Sequence, residues 1–176
     1  MASKKAPKEE PPPEEPAVPI ELEGTGKFYY PTGATYEGQW KLLNPPLPPP
    51  VEDPKEAKKK KAKDEPPPPP PEPPKRVRHG QGVYREGDYV YEGEWFEDLM
   101  QGTGTFTYAS GSAYSGEWRN NKYHGKGTYS WPDGRQYDGM WEEGRMQGLG
   151  VYRDASGHRW EGQFFNGSGP GLTCQL

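Results

Sequence analysis

Hydrophobic and polar positions alternate with a period of two through much of the chain, and the apolar positions are mostly aromatic. The phrase YEGEW at residues 91–95 shows the pattern, and close variants follow at 36–40, 114–118, 137–141 and 160–164. Alternation puts Tyr91, Gly93 and Trp95 on one face of a strand and Glu92 and Glu94 on the other. The pattern therefore predicts strands with an aromatic face and a charged face.

Each such phrase follows a G-x-G-x-aromatic phrase and a turn ending in glycine, so that the two phrases form one unit. The leading glycines at 80, 102, 125 and 148 are spaced by 22 or 23 residues, and a first unit starts at Gly24. A glycine after Pro, Asp or Ser is typical of tight turns, so each unit is predicted to be a β-hairpin. Recurrence at a fixed period indicates a repeat architecture.

Three columns of the repeat are aromatic in every unit. The first-strand column is Phe28, Tyr84, Phe106, Tyr129 and Tyr152. The second-strand columns are Tyr36, Tyr91, Tyr114, Tyr137 and Trp160, and then Trp40, Trp95, Trp118, Trp141 and Phe164. Strand glycines often mark a close approach of another group, so Gly93 and its equivalents are expected to leave notches for rings of neighbouring strands. The predicted fold is all-β: an elongated single-layer antiparallel sheet of about five stacked hairpins, or about ten strands, with an aromatic groove.

Composition divides the chain into segments. Glycine and proline make up 47 of the 176 residues, and the prolines are concentrated before residue 20 and between 45 and 74. We predict a disordered acidic, proline-rich tail over 1–23, repeat 1 over 24–42, a proline- and lysine-rich insertion over 43–79, repeats 2–5 over 80–168, and a cap or broken repeat over 169–176. The insertion is expected to be disordered or extended, and unit 1 is expected to pair with unit 2 in spite of it, because lengthening a loop costs little free energy.

Candidate catalytic and metal-binding residues are few. His79 and His124 each precede a leading glycine, as residues of a turn would, and Cys174 has no histidine near it in sequence. The carboxylates Glu37, Glu92, Asp138 and Glu161 recur in one column, as a solvated face does and a catalytic acid does not. We therefore predict no enzyme activity, no cofactor and no metal site.

The units resemble the MORN repeat family, through YEGEW and the restart His124-Gly125-Lys126-Gly127. Unit 2 departs from the pattern by a turn one residue short, unit 5 by Trp160 and Phe164, and the sixth start reads GPGLTCQL. The resemblance implies a hairpin solenoid that serves as a scaffold, often in ciliary or flagellar axonemes or at membrane junctions. The expected role is protein binding through the fifteen aromatic residues above, by a helix, an extended segment or a second copy, in an axonemal complex such as a radial-spoke-like or doublet-associated assembly.

Charge separates this interpretation from an alternative in which the chain tethers a membrane. Residues 80–176 carry 8 basic and 13 acidic side chains, whereas residues 41–79 carry 10 basic and 6 acidic ones. An acidic repeat array is repelled by anionic lipid and by nucleic acid, so no nucleic-acid partner is expected. A phosphoinositide-binding role would fall to the insertion, with Lys58, Lys59, Lys60, Lys61 and Lys63 as candidate contacts. The proline-rich insertion folding back onto the aromatic groove is a further alternative.

Overall fold

The computed structural model describes residues 22–44 and 73–175. The predictions for the tail over 1–21, for most of the insertion and for Lys58 to Lys63 lie outside these residues. The described part is all-β, with one antiparallel sheet of eleven strands whose spatial order is the order of the sequence. The strands are β1 Glu23–Tyr29, β2 Thr35–Leu43, β3 Lys75–Glu86, β4 Tyr89–Phe96, β5 Leu99–Thr107, β6 Ala113–Arg119, β7 Lys122–Ser130, β8 Gln136–Glu142, β9 Arg145–Arg153, β10 Arg159–Phe164 and β11 Thr173–Gln175.

The fold prediction is confirmed, and ten of the strands are the five predicted hairpins. The eleventh, β11, pairs with the first half of β10. Units 1 and 2 are joined in the sheet, because β2 pairs with β3 from Thr35↔Arg85 to Leu43↔Lys75. β3 thus begins at Lys75, within the range that the sequence assigned to the insertion.

Two kinds of turn alternate along the chain. Turns within a hairpin end in a glycine with positive φ, such as Gly134 at 91°. Turns between units place two successive residues at positive φ, as in Asn120 at 50° and Asn121 at 64°. Both central residues of a type I′ hairpin turn have positive φ, which matches the right-handed twist of the strands and favours Asn, Asp and Gly. Two-residue turns of this kind join units 2 to 5 to one another at one edge of the array, and at the other edge the turns within the hairpins are longer, except for Gly87–Asp88 between β3 and β4.

A row of glycines crosses the sheet from β1 to β10. Each of them pairs with the glycine of the next strand, in the order Gly26, Gly38, Gly82, Gly93, Gly104, Gly116, Gly127, Gly139, Gly150 and Gly162. The ring of Tyr91 lies over the Gly93–Gly104 pair, and an added Cβ on Gly104 would be 2.5 Å from its hydroxyl oxygen. Rings do lie over the glycine notches, but the prediction of where they come from is wrong. For Gly93 the ring comes from its own strand, two residues earlier, and not from a neighbouring strand.

The core is a line of alternating Tyr and Trp rings above the glycine row. Tyr36, Tyr91, Tyr114 and Tyr137 are 0% exposed. The ring of Trp118 lies edge-on between Tyr91 and Tyr114, with centroids 5.2 Å from each. Edge-to-face pairs of this kind are the favoured geometry for aromatic side chains. A single-layer sheet thus obtains a core by laying its own rings flat along its surface, and each Trp links one unit to the unit before it.

Candidate functional site

The fifteen aromatic residues of the predicted binding surface divide into a buried and an accessible set. Tyr36, Tyr91, Tyr114, Tyr137, Trp40, Trp95, Trp118, Trp141 and Phe164 are buried, while Phe28, Tyr84, Phe106, Tyr129, Tyr152 and Trp160 are half-buried. The buried rings hold the repeat units together and present almost no surface to a partner. The prediction of direct partner contact therefore rests on the first-strand column and Trp160.

Hydrogen bonds fix the buried rings in place. The indole N–H of Trp118 donates to the carbonyl oxygen of Gly104 at 3.0 Å, and Trp95 and Trp141 make the same bond to Gly82 and Gly127. The hydroxyl of each buried tyrosine donates to a backbone carbonyl three residues later, as from Tyr91 to Glu94 at 2.9 Å. Burial raises the pKa of Tyr36 and of Tyr137 to about 12 and shifts the pKa of Tyr91 and Tyr114 upward as well. These phenols are neutral donors at physiological pH.

The accessible rings form a continuous stripe on the same face, which we call the aromatic face. Along it, ring centroids are 4.6 Å apart between Phe106 and Tyr108, 6.2 Å between Tyr108 and Tyr129, and 4.6 Å between Tyr129 and Trp131. Trp131 lies 6.1 Å from Tyr152. The stripe thus runs across units 3, 4 and 5 without a break.

Sequence reasoning missed several rings of this stripe. Tyr30, Tyr108 and Trp131 lie two residues beyond the first-strand aromatic column, so the same alternation that selected the column places them on its face. Tyr123 had no such signal, because units 3 and 5 have methionine in that place, Met100 and Met146. It stacks on Tyr114 with centroids 3.9 Å apart, and its hydroxyl is hydrogen-bonded to that of Tyr108. Tyr108, Tyr123 and Trp118 line a depression of about 250 Å³ on the aromatic face.

Two arginines at the start of β3 extend this surface toward unit 1. The guanidinium of Arg78 lies 4.2 Å from the ring centroid of Trp95, and that of Arg76 lies 4.4 Å from Trp40. Arg78 is held by Asp98, whose carboxylate accepts its backbone N–H at 3.0 Å and its side-chain Nε–H at 3.1 Å. Burial opposes the ionisation of Asp98, but these hydrogen bonds and that of Lys75 lower its pKa. Cation–π contacts thus cover the two Trp rings nearest the insertion.

The opposite face is polar over units 1 to 3 and has a recurrent backbone contact that the sequence did not suggest. Side-chain oxygens of Gln39, Glu94 and Glu117 accept the N–H in the middle of the next unit's G-x-G phrase, at 2.7, 3.0 and 3.0 Å. The hydroxyl and N–H of Thr103 bind Glu94 and lower the pKa of its carboxyl. In unit 4 this column holds Met140, which with Leu149 and Val151 lines an apolar depression of about 660 Å³.

The described residues contain no group of three or more His, Cys, Asp or Glu side chains placed to bind a metal ion. Within the same residues no helix has the length and hydropathy to cross a membrane. The carboxylate column is at the surface: Glu37, Glu92 and Asp138 are exposed and Glu161 is half-buried. Cys174, in β11, is a free thiol opposite Trp160.

The family model for the MORN repeat matches residues 21–35, 77–88, 91–113, 114–134 and 137–159. These five stretches make up more than half of the 176 residues and lie within 21–35 and 77–159, ranges that overlap the hairpins. The comparison with curated proteins gives no significant match.

Proposed function

Because the chain belongs to the MORN repeat family, we propose that it is a scaffold protein that binds other proteins through its aromatic face. MORN repeats mediate protein or membrane interactions and the family is a non-catalytic repeat family. The partner in this proposal is a helix or an extended segment that lies along the stripe of accessible rings.

The continuous stripe of half-buried rings is the observation that carries the proposal. Contiguous apolar surface is unusual on monomers and marks interaction sites, and Tyr and Trp are enriched where interfaces are most sensitive to mutation. The buried rings below fix the accessible ones, as Tyr114 does for Tyr123 at 3.9 Å. A rigid ring surface loses little conformational entropy when a partner binds, which favours affinity.

The electrostatics of the described repeats favour protein over lipid. Exposed acidic side chains recur on the face opposite the rings, and residues 80–176 carry five more acidic than basic groups. An anionic membrane would repel this array. Lysine-rich residues 58–61 and Lys63 support the second candidate function, a peripheral phosphoinositide tether that acts through the insertion.

We propose an axonemal location, in a radial-spoke-like or doublet-associated complex of a cilium or flagellum. What supports it is a resemblance of organisation: the small repeat array joined to acidic, proline- and lysine-rich segments resembles ciliary or flagellar structural proteins of the family. Fold and composition alone do not determine function, so this part of the proposal depends on the binding experiment below.

Co-sedimentation with two kinds of particle tests the proposed function. Wild-type protein and a Tyr129→Ser/Tyr152→Ser variant are mixed with salt-stripped axonemes and, separately, with vesicles containing phosphoinositide. Both tyrosines are half-buried on the aromatic face, and Val151→Ser, on the opposite face, is the matched control. Circular dichroism verifies that each variant is folded.

We expect the wild type and the Val151→Ser control to pellet with axonemes, and the double variant to lose most of this binding. The tether alternative instead predicts pelleting with vesicles that is lost when Lys58 to Lys61 are changed to Gln and that weakens as salt screens the charges. Axoneme binding that is equal for wild type and the double variant would refute the role of the aromatic face. Vesicle binding that persists without the four lysines would refute the charge argument.

A further inference from the structure

The two ends of the repeat array differ in how their outermost strands are covered. At the C-terminal end, β11 pairs with β10 through Glu161↔Thr173, Trp160↔Cys174 and Arg159↔Gln175. The side chain of Leu172 packs over Gly162, where an added Cβ would be 3.0 Å from its Cδ2 atom. At the N-terminal end, β1 has one neighbour among the described strands, which is β2. Among the described strands, the array is therefore capped at one end, and the outer edge of β1 has no neighbouring strand at the other.

The backbone groups of β1 that point away from β2 can be identified from the turn contacts. The N–H of Leu42 donates to the carbonyl of Leu22, and the N–H of Tyr30 donates to that of Ala34, so the even-numbered residues of β1 bond to β2. In an antiparallel pair the intervening residues point the other way. The N–H groups of Thr25 and Lys27 thus point away from β2, toward the outer edge of the sheet. In units 2 to 5, the first strand of the unit pairs on this side with the second strand of the preceding unit.

At the C-terminal end of the array, unit 5 has a side chain of the kind that accepts a backbone N–H of the following unit in units 1 to 3. Gln163 occupies the column of Gln39, Glu94 and Glu117, each of which accepts the N–H in the middle of the next G-x-G phrase. Gln163 is exposed, and among the described residues no hydrogen bond to its side chain is found. Thr25 is the middle residue of the first G-x-G phrase. The array therefore has a donor of this repeated contact, the N–H of Thr25, at its N-terminal end. It has an acceptor, the side chain of Gln163, at its C-terminal end.

Other positions agree with this register. If β10 pairs with β1 of a second copy as β8 pairs with β9, Gly162 is opposite Gly26, Trp160 is opposite Phe28, and Glu161 is opposite Lys27. The glycine row then continues from one copy into the next, an aromatic pair forms on the aromatic face, and a carboxylate meets an ammonium on the other. Opposite charges and aromatic pairs directly across strands stabilise antiparallel sheets.

We propose that the chain assembles end to end with further copies of itself, β1 of one copy pairing with β10 of the next in place of the β11 cap. The cap is short, three residues of strand held by Leu172, whereas β1 offers seven. The contact is heterologous, so it generates a filament or, if the rotation between copies closes, a ring. This inference concerns the ends of the sheet and does not depend on what the aromatic face binds.

Sedimentation velocity over a concentration series, on the full chain, tests the proposal with four variants. Leu172→Ala loosens the cap and should strengthen association about tenfold, equivalent to about 1.4 kcal/mol. Thr25→Pro removes an outward N–H without removing a bond to β2, and should abolish association. Gln163→Met, which copies Met140, should weaken association, while Gln163→Glu, which copies Glu94, should retain it.

A zero-length carbodiimide cross-link provides a readout of register on the wild-type chain. Lys27 and Glu161 are nine strand spacings apart in one molecule, or about 43 Å. A Lys27–Glu161 cross-link can therefore form only between two copies. A mixture of isotopically labelled and unlabelled chains verifies that the linked residues come from different copies. Asp138, in the same column but paired internally with Val151, should not be linked. The proposal is overturned if wild type and Leu172→Ala remain monomeric, if Thr25→Pro associates like wild type, if the link is absent, or if residues 1–21 are cross-linked to β1 in its place.

Discussion

Replacing Trp118 by alanine is the most direct test of the ring line as the source of stability. The side chain is 4% exposed, lies edge-on between Tyr91 and Tyr114, and donates its N–H to Gly104. Truncating a buried Trp costs about 3–5 kcal/mol, and a lost hydrogen bond costs about 1 kcal/mol. Because these two costs overlap, we expect the free energy of unfolding to fall by about 4 kcal/mol. The packing that joins unit 3 to unit 2 should be weakened most.

Urea unfolding followed by circular dichroism measures this loss. With a slope of about 2 kcal/mol per molar urea, the midpoint should fall by about 2 M. Trp131→Ala is the matched control, since Trp131 is half-buried at a turn and contacts Tyr129 at 4.6 Å, and it should cost about 1 kcal/mol. Trp118→Phe should lie between the two, because Phe164 fills the same column in unit 5. Equal midpoints for the two alanine variants would refute the ring line as the core.

Three further expectations follow from other contacts. Gly116→Ala should abolish stable folding or cost more than about 3 kcal/mol, because its Cβ would lie 2.4 Å from the Cα of Gly127; Ser115→Ala, beside it, should melt within a few degrees of wild type. The four fully buried tyrosines should ionise above pH 10 when absorbance at 295 nm is followed, because their pKa values are raised above 10.0. The native state then keeps protons that the unfolded state loses, so the free energy of unfolding should fall as the pH rises from 10 toward 12. Normal titration near pH 10 in the folded protein would contradict their burial. Asp98→Ala should lower the free energy of unfolding by about 1–2 kcal/mol in the same urea assay, and exposed Asp88→Ala should leave it unchanged.

The fold could be predicted because its determinants are local. Turn glycines and the alternation of YEGEW lie within one unit, and five copies of the unit make the pattern unmistakable. The turns between units are short, so the second strand of one hairpin must pair with the first strand of the next. The pairing of β2 with β3 was also predictable, since an intervening loop adds little to the cost of bringing two strands together.

Which aromatic rings are accessible could not be predicted from the columns. Tyr91 and Phe106 are both aromatic and both face the same way, yet only Tyr91 is fully buried. The difference is where the ring lies: that of Tyr91 lies over Gly93 and Gly104, and Trp118 packs against it. Likewise, the role of Glu94 toward Thr103 depends on the irregularity of the strand pairing between Gly93 and Trp95, which alternation alone does not reveal.

The identity of spatial and sequence order in the sheet has a mechanical consequence. If the two ends of the array are pulled apart along its long axis, every strand pair carries the same tension, because the pairs are connected in series. The hydrogen bonds lie along the pulling direction, so strand pairs are peeled open rather than sheared. Rupture therefore begins at the weakest pair, and each unit that opens releases 22 or 23 residues, or about 75 Å of contour length. The protein should extend under load in steps of one repeat, as an elastic spacer does, and shorten again when the load is removed.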